Sequence, residues 1–242
     1  MFDRAMMRGL LAAALAASML GGTAKADAIF NAYETTPGNT YQLAFVTADT
    51  TTGTSGSESY YNNFVTAEAA PLTAILPRGT TWSAITSTPS TPAITNAPTY
   101  SGIRIYNTLG QFVAYGGAGA GGIWNQFDSP VIAAPINGTQ SGGTYEGFVW
   151  TGTNADGSIG DPLGSHEAGP FQFSNAGYAG SIYLNGGWIF PGALLDQSST
   201  FPLYALSSPI AVPVPEPATL SLLGPALLGL GVVCLRRRRL KA

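Results

Sequence analysis

The segment 154–161 places oxygen-bearing side chains at alternate positions around glycines. Its candidate metal ligands are Asn154, Asp156, Ser158 and Asp161. Calcium prefers several oxygen ligands in a flexible loop, so this pattern suits a calcium site. The bidentate glutamate that ends an EF-hand loop is missing, and runs of Asn, Asp and Gly are also ordinary turn chemistry. The segment is therefore read as a calcium loop or as a plain polar turn, and no other cofactor is indicated.

The chain offers little for nucleophilic or zinc chemistry. Its single histidine, His166, follows Ser165, but adjacency does not give the geometry that a catalytic triad needs. Its single cysteine, Cys234, lies in the C-terminal apolar segment, and structural zinc sites draw on several Cys and His ligands. Glycoside hydrolysis needs two facing carboxylates, and nothing in the sequence pairs two of its acids. We therefore assign no catalytic residue and expect a non-enzyme.

The charge of the central region excludes several partners. Residues 27–217 hold two basic residues, Arg78 and Arg104, against twelve acidic ones, a formal charge of −10. Nucleic-acid binding needs clustered Lys and Arg, so this class is excluded. Acidic ligands are disfavoured for the same Coulombic reason, whereas divalent cations and neutral glycans remain compatible. The residues that would stack on sugar rings if exposed are Trp124, Trp150 and Trp188, although Trp150 lies in an apolar run typical of a core strand.

Short β-rich runs dominate the middle of the chain, with one helical pattern near its start. Residues 55–58 fit a capping box with Ser55 as the N-cap and Glu58 reaching back, and apolar residues at helical spacing continue until Pro71. A hairpin is predicted around Asn185-Gly186-Gly187. Strands are predicted at 41–46, 81–85, 102–106, 148–150, 181–184, 188–190 and 201–206. This order predicts one α+β domain, and an all-β sandwich is the alternative.

The first 26 residues have the composition of a secretory signal peptide. Arg4 and Arg8 precede a short apolar stretch, and the small residues Ala24 and Ala26 stand where a signal peptidase inspects the chain. We expect an N-terminal signal helix, cleavage by signal peptidase and a mature chain that starts near Asp27.

A second apolar stretch, residues 218–235, lies close to the C-terminus. Its length approaches the ~20 residues that span a bilayer as a helix, and the basic tail 236–242 should stay cytoplasmic by the positive-inside rule. We therefore expect an exported globular domain at 27–206, a linker at 207–217 and a transmembrane helix at 218–235.

A three-part pattern surrounds this helix. Pro215, Glu216 and Pro217 stand before the apolar span, and Arg236, Arg237, Arg238 and Arg239 follow it. The pattern resembles the PEP-CTERM sorting signal. The resemblance implies cleavage by an exosortase in a Gram-negative host that makes an exopolysaccharide. It also implies a transient membrane anchor, followed by delivery to the cell surface or extracellular matrix.

The exported region carries a second resemblance. After the first strand and helix come the runs 82–87 (WSAITS), 103–110 (IRIYNTLG), 149–157 (VWTGTNADG) and 203–206 (LYAL). Over about Tyr41 to Ser207 this order resembles the endostatin-like branch of the C-type-lectin-like fold, which implies short strands with one or two helices. Endostatin's cysteines, zinc-binding histidines and basic heparin-binding surface have no counterpart here, so these properties are not carried over.

These observations predict an exported surface or matrix protein with a non-enzymatic structural or adhesive role. The expected partners are an exosortase, signal peptidase, and exopolysaccharide or other matrix proteins. The alternative is a glycan-binding module, with or without calcium in the loop 154–161.

Overall fold

The computed structural model describes residues 38–124, 132–165, 172–180, 184 and 186–212. In these residues the chain is mainly β-sheet with a few short helices. The strands are β1 (Thr40–Val46), β2 (Thr51–Thr52), β3 (Trp82–Ala84), β4 (Arg104–Asn107), β5 (Phe112–Tyr115), β6 (Gly147–Trp150), β7 (Phe173–Ala179), β8 (Ala193–Asp196), β9 (Thr200–Phe201), β10 (Tyr204–Ser207) and β11 (Ile210–Ala211). The helices are α1 (Glu58–Glu68), α2 (Ala70–Thr73), α3 (Ala93–Asn96) and a 3-10 helix at Gly186–Trp188.

The main sheet has the strand order β3-β10-β1-β4-β5, and β11 also pairs with β1. Strand β1 runs parallel to β4 and antiparallel to β10 and β11. The first strand therefore lies at the centre of the sheet, beside the last two. Strands β6, β7 and β8 form a second antiparallel sheet, and β2 pairs with β9.

The two faces of β1 belong to two different cores. Tyr41, Leu43 and Phe45 pack with residues of α1 and α2, whereas Ala44 and Val46 pack with loop residues on the other face. Successive side chains of a strand point to opposite faces. An almost continuous apolar run is therefore what a strand buried on both faces requires.

Helix α1 packs on the first face through the residues that its periodicity predicts. Tyr61, Val65 and Ala69 recur every fourth residue and are fully buried. The predicted capping box is wrong, because Ser57 occupies the N-cap position without a side-chain bond. The Glu58 side chain instead bonds to residues outside the helix, described below, and these tertiary contacts replace the local cap. Helix α1 ends before Pro71, which lies in the first turn of α2, where proline is tolerated.

The predicted strands at 41–46, 81–85, 102–106 and 148–150 are confirmed to within a few residues. The predicted hairpin strand at 188–190 is wrong, because Trp188 ends a 3-10 helix and packs against Trp124 and Tyr204 at ring distances of 6.1 and 5.7 Å. The predicted strand at 201–206 is split, because Pro202 has no N–H to donate. The sheet also extends past the predicted domain boundary at residue 206, through the rest of β10 and β11 to the buried Val212.

Candidate functional site

The predicted calcium loop is a hydrogen-bonded turn that brings three of its four candidate ligands together. Asp156 Oδ1 accepts the Ser158 N–H at 3.0 Å and the Ser158 hydroxyl at 2.6 Å. Asn154 Nδ2 donates to Ser158 Oγ at 3.1 Å and to the Ile159 carbonyl at 2.9 Å. Asp161 is exposed and lies outside this set of bonds.

These bonds are the ones that a polar turn makes. The hydrogen bond from the Ser158 hydroxyl lowers the pKa of Asp156, so this carboxylate is already stabilised from within the loop. In the described part of the chain, no three His, Cys, Asp or Glu side chains form a group that could hold a metal ion. Calcium at this loop stays a prediction, and the geometry favours the reading as a polar turn.

The tryptophans considered for sugar stacking belong to the core. Trp124, Trp150 and Trp188 are 2%, 0% and 1% exposed. Trp150 Nε1 donates to the Thr51 carbonyl at 3.1 Å, and Trp124 Nε1 donates to Thr99 Oγ1 at 3.0 Å. None of the three indole rings is available to a ligand.

Several predicted residues lie outside the described residues. They are Ala24 and Ala26 of the signal sequence, His166, and the sorting residues Pro215, Glu216, Pro217, Arg236, Arg237, Arg238 and Arg239. The predicted transmembrane segment 218–235 also lies outside them. Among the helices that are described, none is long and apolar enough to cross a membrane.

A half-buried carboxyl group, Glu58, lies in a polar network between α1, α3 and β3. Its Oε1 accepts the Thr86 hydroxyl at 2.7 Å and Asn96 Nδ2 at 2.6 Å. Asn96 Nδ2 also donates to the Ala84 carbonyl at 2.7 Å, and Asn62 Oδ1 accepts the Ala84 N–H at 2.8 Å. Burial raises the pKa of Glu58, and the bond from Thr86 opposes this shift.

This network closes the outer edge of the main sheet. Among the described residues, strand β3 pairs on one side only, with β10, and the amides of Asn62 and Asn96 bond to Ala84 on its other side. Unpaired edges invite pairing with another chain, so covering this edge protects the fold. The bonds that Glu58 accepts from Thr86 and Asn96 connect α1 to this edge, which is a structural role.

A cleft of about 140 Å³ lies at this edge, on the face of the sheet opposite α1. Three separate segments line it, and none of the lining residues is charged. The cross-strand partners Ser83 and Leu206 line it from the sheet. The other lining residues are Ala97, Pro98 and Tyr100 after α3, Thr81 before β3, Ser207 at the end of β10, and Ser208 and Pro209 between β10 and β11. The Tyr100 side chain is 46% exposed.

An irregularity of the sheet gives the cleft its shape. Ala44 of β1 faces Leu206 of β10, whereas Tyr41 faces Ile210 of β11, so the β10–β11 side contains one extra residue. Such a bulge leaves part of the ladder unpaired and bends the strand. The bent segment, residues 207–209, leaves β1 and lines one side of the cleft.

Two polar side chains satisfy the backbone groups that the bulge leaves unpaired. The Leu43 N–H donates to Ser207 Oγ at 2.9 Å. Gln42 Nε2 donates to the Ser207 carbonyl at 2.8 Å and to the Pro98 carbonyl at 3.1 Å. Gln42 is the one polar side chain in the interior of the apolar run of β1, and this is the only sequence signal that could have drawn attention to the cleft.

The cleft offers an exposed aromatic ring, hydroxyl groups and no charge. Ser208 Oγ accepts the Thr81 N–H at 3.1 Å, which leaves the hydroxyl proton of Ser208 able to donate. Aromatic rings next to hydroxyl groups suit a neutral ligand that has an apolar face and hydroxyl groups of its own. No known family profile matches this chain, and no curated protein matches it significantly.

Proposed function

We propose that this chain is an exported protein of the bacterial surface or extracellular matrix, sorted by an exosortase through its PEP-CTERM tail. Its globular domain makes non-enzymatic, adhesive contacts with a neutral polysaccharide. The observation that carries the adhesive role is the uncharged cleft beside Tyr100. It lies on a region whose formal charge of −10 disfavours polyanionic ligands.

The size of the cleft suits one residue of a polymer. Its volume of about 140 Å³ is well below the roughly 300–1,000 Å³ of pockets for drug-sized ligands. A single sugar ring lying against Tyr100 makes a weak contact. A polysaccharide carries many such rings, and many copies of the protein at a surface can bind them at once. Multivalency then makes the overall attachment strong.

An endostatin-like, C-type-lectin-like fold is part of the proposal. It is supported by the first strand lying beside the last strands, by α1 packed on one face and by long loops on the other face. The helices α1 and α2 cover a face that a second sheet would cover in an all-β sandwich. This feature supports the lectin-like interpretation.

A calcium-assisted glycan-binding module is the second candidate, and it would use the loop 154–161. None of the residues that line the Tyr100 cleft belongs to that loop. Binding at the cleft is therefore expected to persist after calcium is removed, whereas binding at the loop would be lost. Chelation thus distinguishes the two candidates.

The test is binding of the full-length chain, in mild detergent, to the host's purified exopolysaccharide. Tyr100→Ala should weaken binding about fivefold or more, because a stacked ring contributes about 1 kcal/mol or more. Tyr60→Ala is the matched control, because Tyr60 is 45% exposed on α1 and lies outside the cleft. Equal binding by wild type and Tyr100→Ala, or no binding by wild type, would exclude the cleft as the adhesive site.

A further inference from the structure

The side chain of Gln42 joins the two sides of the cleft. It projects from the centre of β1 and is fully buried. Its Nε2 group carries two hydrogens and bonds to two carbonyls, that of Ser207 at 2.8 Å and that of Pro98 at 3.1 Å. Ser207 and Pro98 line the cleft from opposite segments. Tyr100 is two residues beyond Pro98, and Ser208 directly follows Ser207.

The backbone groups that the bulge leaves unpaired do not by themselves explain why residue 42 is a glutamine. The β1 amide next to Gln42 already has an acceptor, because the Leu43 N–H bonds to Ser207 Oγ. The Gln42 amide instead satisfies two carbonyls outside β1, and its own Oε1 accepts no hydrogen bond from any described residue. A buried amide oxygen without a donor is costly. A methionine of similar length would fill the space without that cost, so the two Nε2 bonds must offset it.

We infer that Gln42 is a positioning residue that holds the cleft at the width of one uncharged sugar ring. The inference rests on the proposed contact with a neutral polysaccharide. By holding Pro98, Gln42 fixes where the Tyr100 ring stands, and by holding Ser207, it fixes where the Ser208 hydroxyl stands. A ligand residue that touches both groups is bound only while their separation is maintained.

The test compares Gln42→Met with Gln197→Met in the full-length chain. Gln197 is a matched control, because it is also fully buried with an unpartnered Oε1. Its Nε2 donates to Ser174 Oγ at 2.8 Å and to Ser165 Oγ at 3.0 Å, away from the cleft. The melting temperature and the affinity for the host's purified exopolysaccharide are measured for both variants, with Tyr100→Ala alongside.

The expected result is a selective loss. Gln42→Met should lower the affinity about tenfold, the equivalent of losing one to two hydrogen bonds, and Gln197→Met should lower the melting temperature without changing the affinity. If Gln42→Met binds like wild type while Tyr100→Ala does not, the positioning role is overturned and the proposed function stands. If wild type is not retained, or Tyr100→Ala binds like wild type, the proposed function fails and the inference fails with it. If both glutamine variants lose affinity in proportion to stability, Gln42 has a structural role only.

Discussion

Asn96→Ala is expected to destabilise the domain strongly, because one amide satisfies several groups at the edge of the main sheet. Asn96 Nδ2 lies within hydrogen-bond distance of Glu58 Oε1, the Ala84 carbonyl and Asn62 Oδ1, and its Oδ1 accepts Asn62 Nδ2 at 2.8 Å. Truncation to alanine removes all of these bonds at once. It also leaves the Ala84 carbonyl of the edge strand without its partner.

The magnitude follows from the groups that lose their partners. Each polar group left unsatisfied in a buried site costs about 1–3 kcal/mol. Three groups are affected, namely the Ala84 carbonyl, the Glu58 carboxylate and the Asn62 amide. All three belong to a network that is only partly buried, so the lower end of that range applies and the loss is about 3 kcal/mol. For a domain of this size, that corresponds to a fall in melting temperature of roughly 6–12 °C.

Thermal unfolding followed by circular dichroism measures this loss. Asn63→Ala is the control, because Asn63 is exposed on α1 next to Asn62 and alanine is the better helix former. Its melting temperature should be unchanged or slightly raised. A fall for Asn96→Ala no larger than the change for Asn63→Ala would show that water replaces the amide without cost, and that this network does not secure the sheet edge.

Four further predictions concern other features of the domain. Burial raises the pKa of Glu58, so the stability that its carboxyl group contributes is present at acid pH and is lost as the pH rises through the folded-state pKa. The melting temperature of Glu58→Gln should therefore equal that of wild type at acid pH and exceed it at neutral pH. Gly164 has φ of +69° and a Cβ there would overlap the backbone of Gly56, whereas Gly192 has φ of +85° with open space around it. Gly164→Ala should therefore cost more than about 3 kcal/mol and Gly192→Ala about 1 kcal/mol in denaturant unfolding. Millimolar calcium should leave the melting temperature unchanged, because Asp156 already accepts two hydrogen bonds from Ser158 within the loop 154–161; a rise with calcium concentration that Asp156→Asn abolishes would establish a site there. Added salt should raise the melting temperature slightly, because it screens the excess negative charge, and a fall would mean that ion pairs hold the domain together.

Local sequence patterns predict the elements whose apolar residues are contiguous or regularly spaced. Residues 41–46 of β1 and the buried stripe of α1 are such elements. Strand β7 was missed because Ser174 and Asn175 interrupt its apolar pattern. Both are buried, and the Ser174 hydroxyl bonds to the Pro162 carbonyl at 2.8 Å. The strand predicted at 188–190 is wrong for a different reason. Packing of Trp188 on other aromatic rings overrides the local hairpin signal.

The candidate cleft could not be predicted from the sequence, because its lining comes from segments around residues 81–83, 97–100 and 206–209. The pairing of β10 with β3 brings two of these segments together, and the bond from Gln42 to the Pro98 carbonyl holds the third beside them. Residues 207–209 moreover have the composition of a linker, and the bulge that gives them their shape depends on register. The polar Gln42 within an apolar strand is a local signal, but it does not reveal which groups its amide holds.

In the described residues, neutral amide side chains rather than charged ones bond to the backbone groups that the sheet leaves unpaired. Asn62 and Asn96 bond to Ala84 at the sheet edge, and Gln42 bonds to the carbonyls beside the cleft. With only two basic residues between positions 27 and 217, ion pairs could contribute little, and exposed pairs add less than about 1 kcal/mol each. Hydrogen bonds from neutral amides depend less on ionic strength than ion pairs do. The residues that line the cleft are uncharged as well, and the proposed binding of neutral sugars rests on this property.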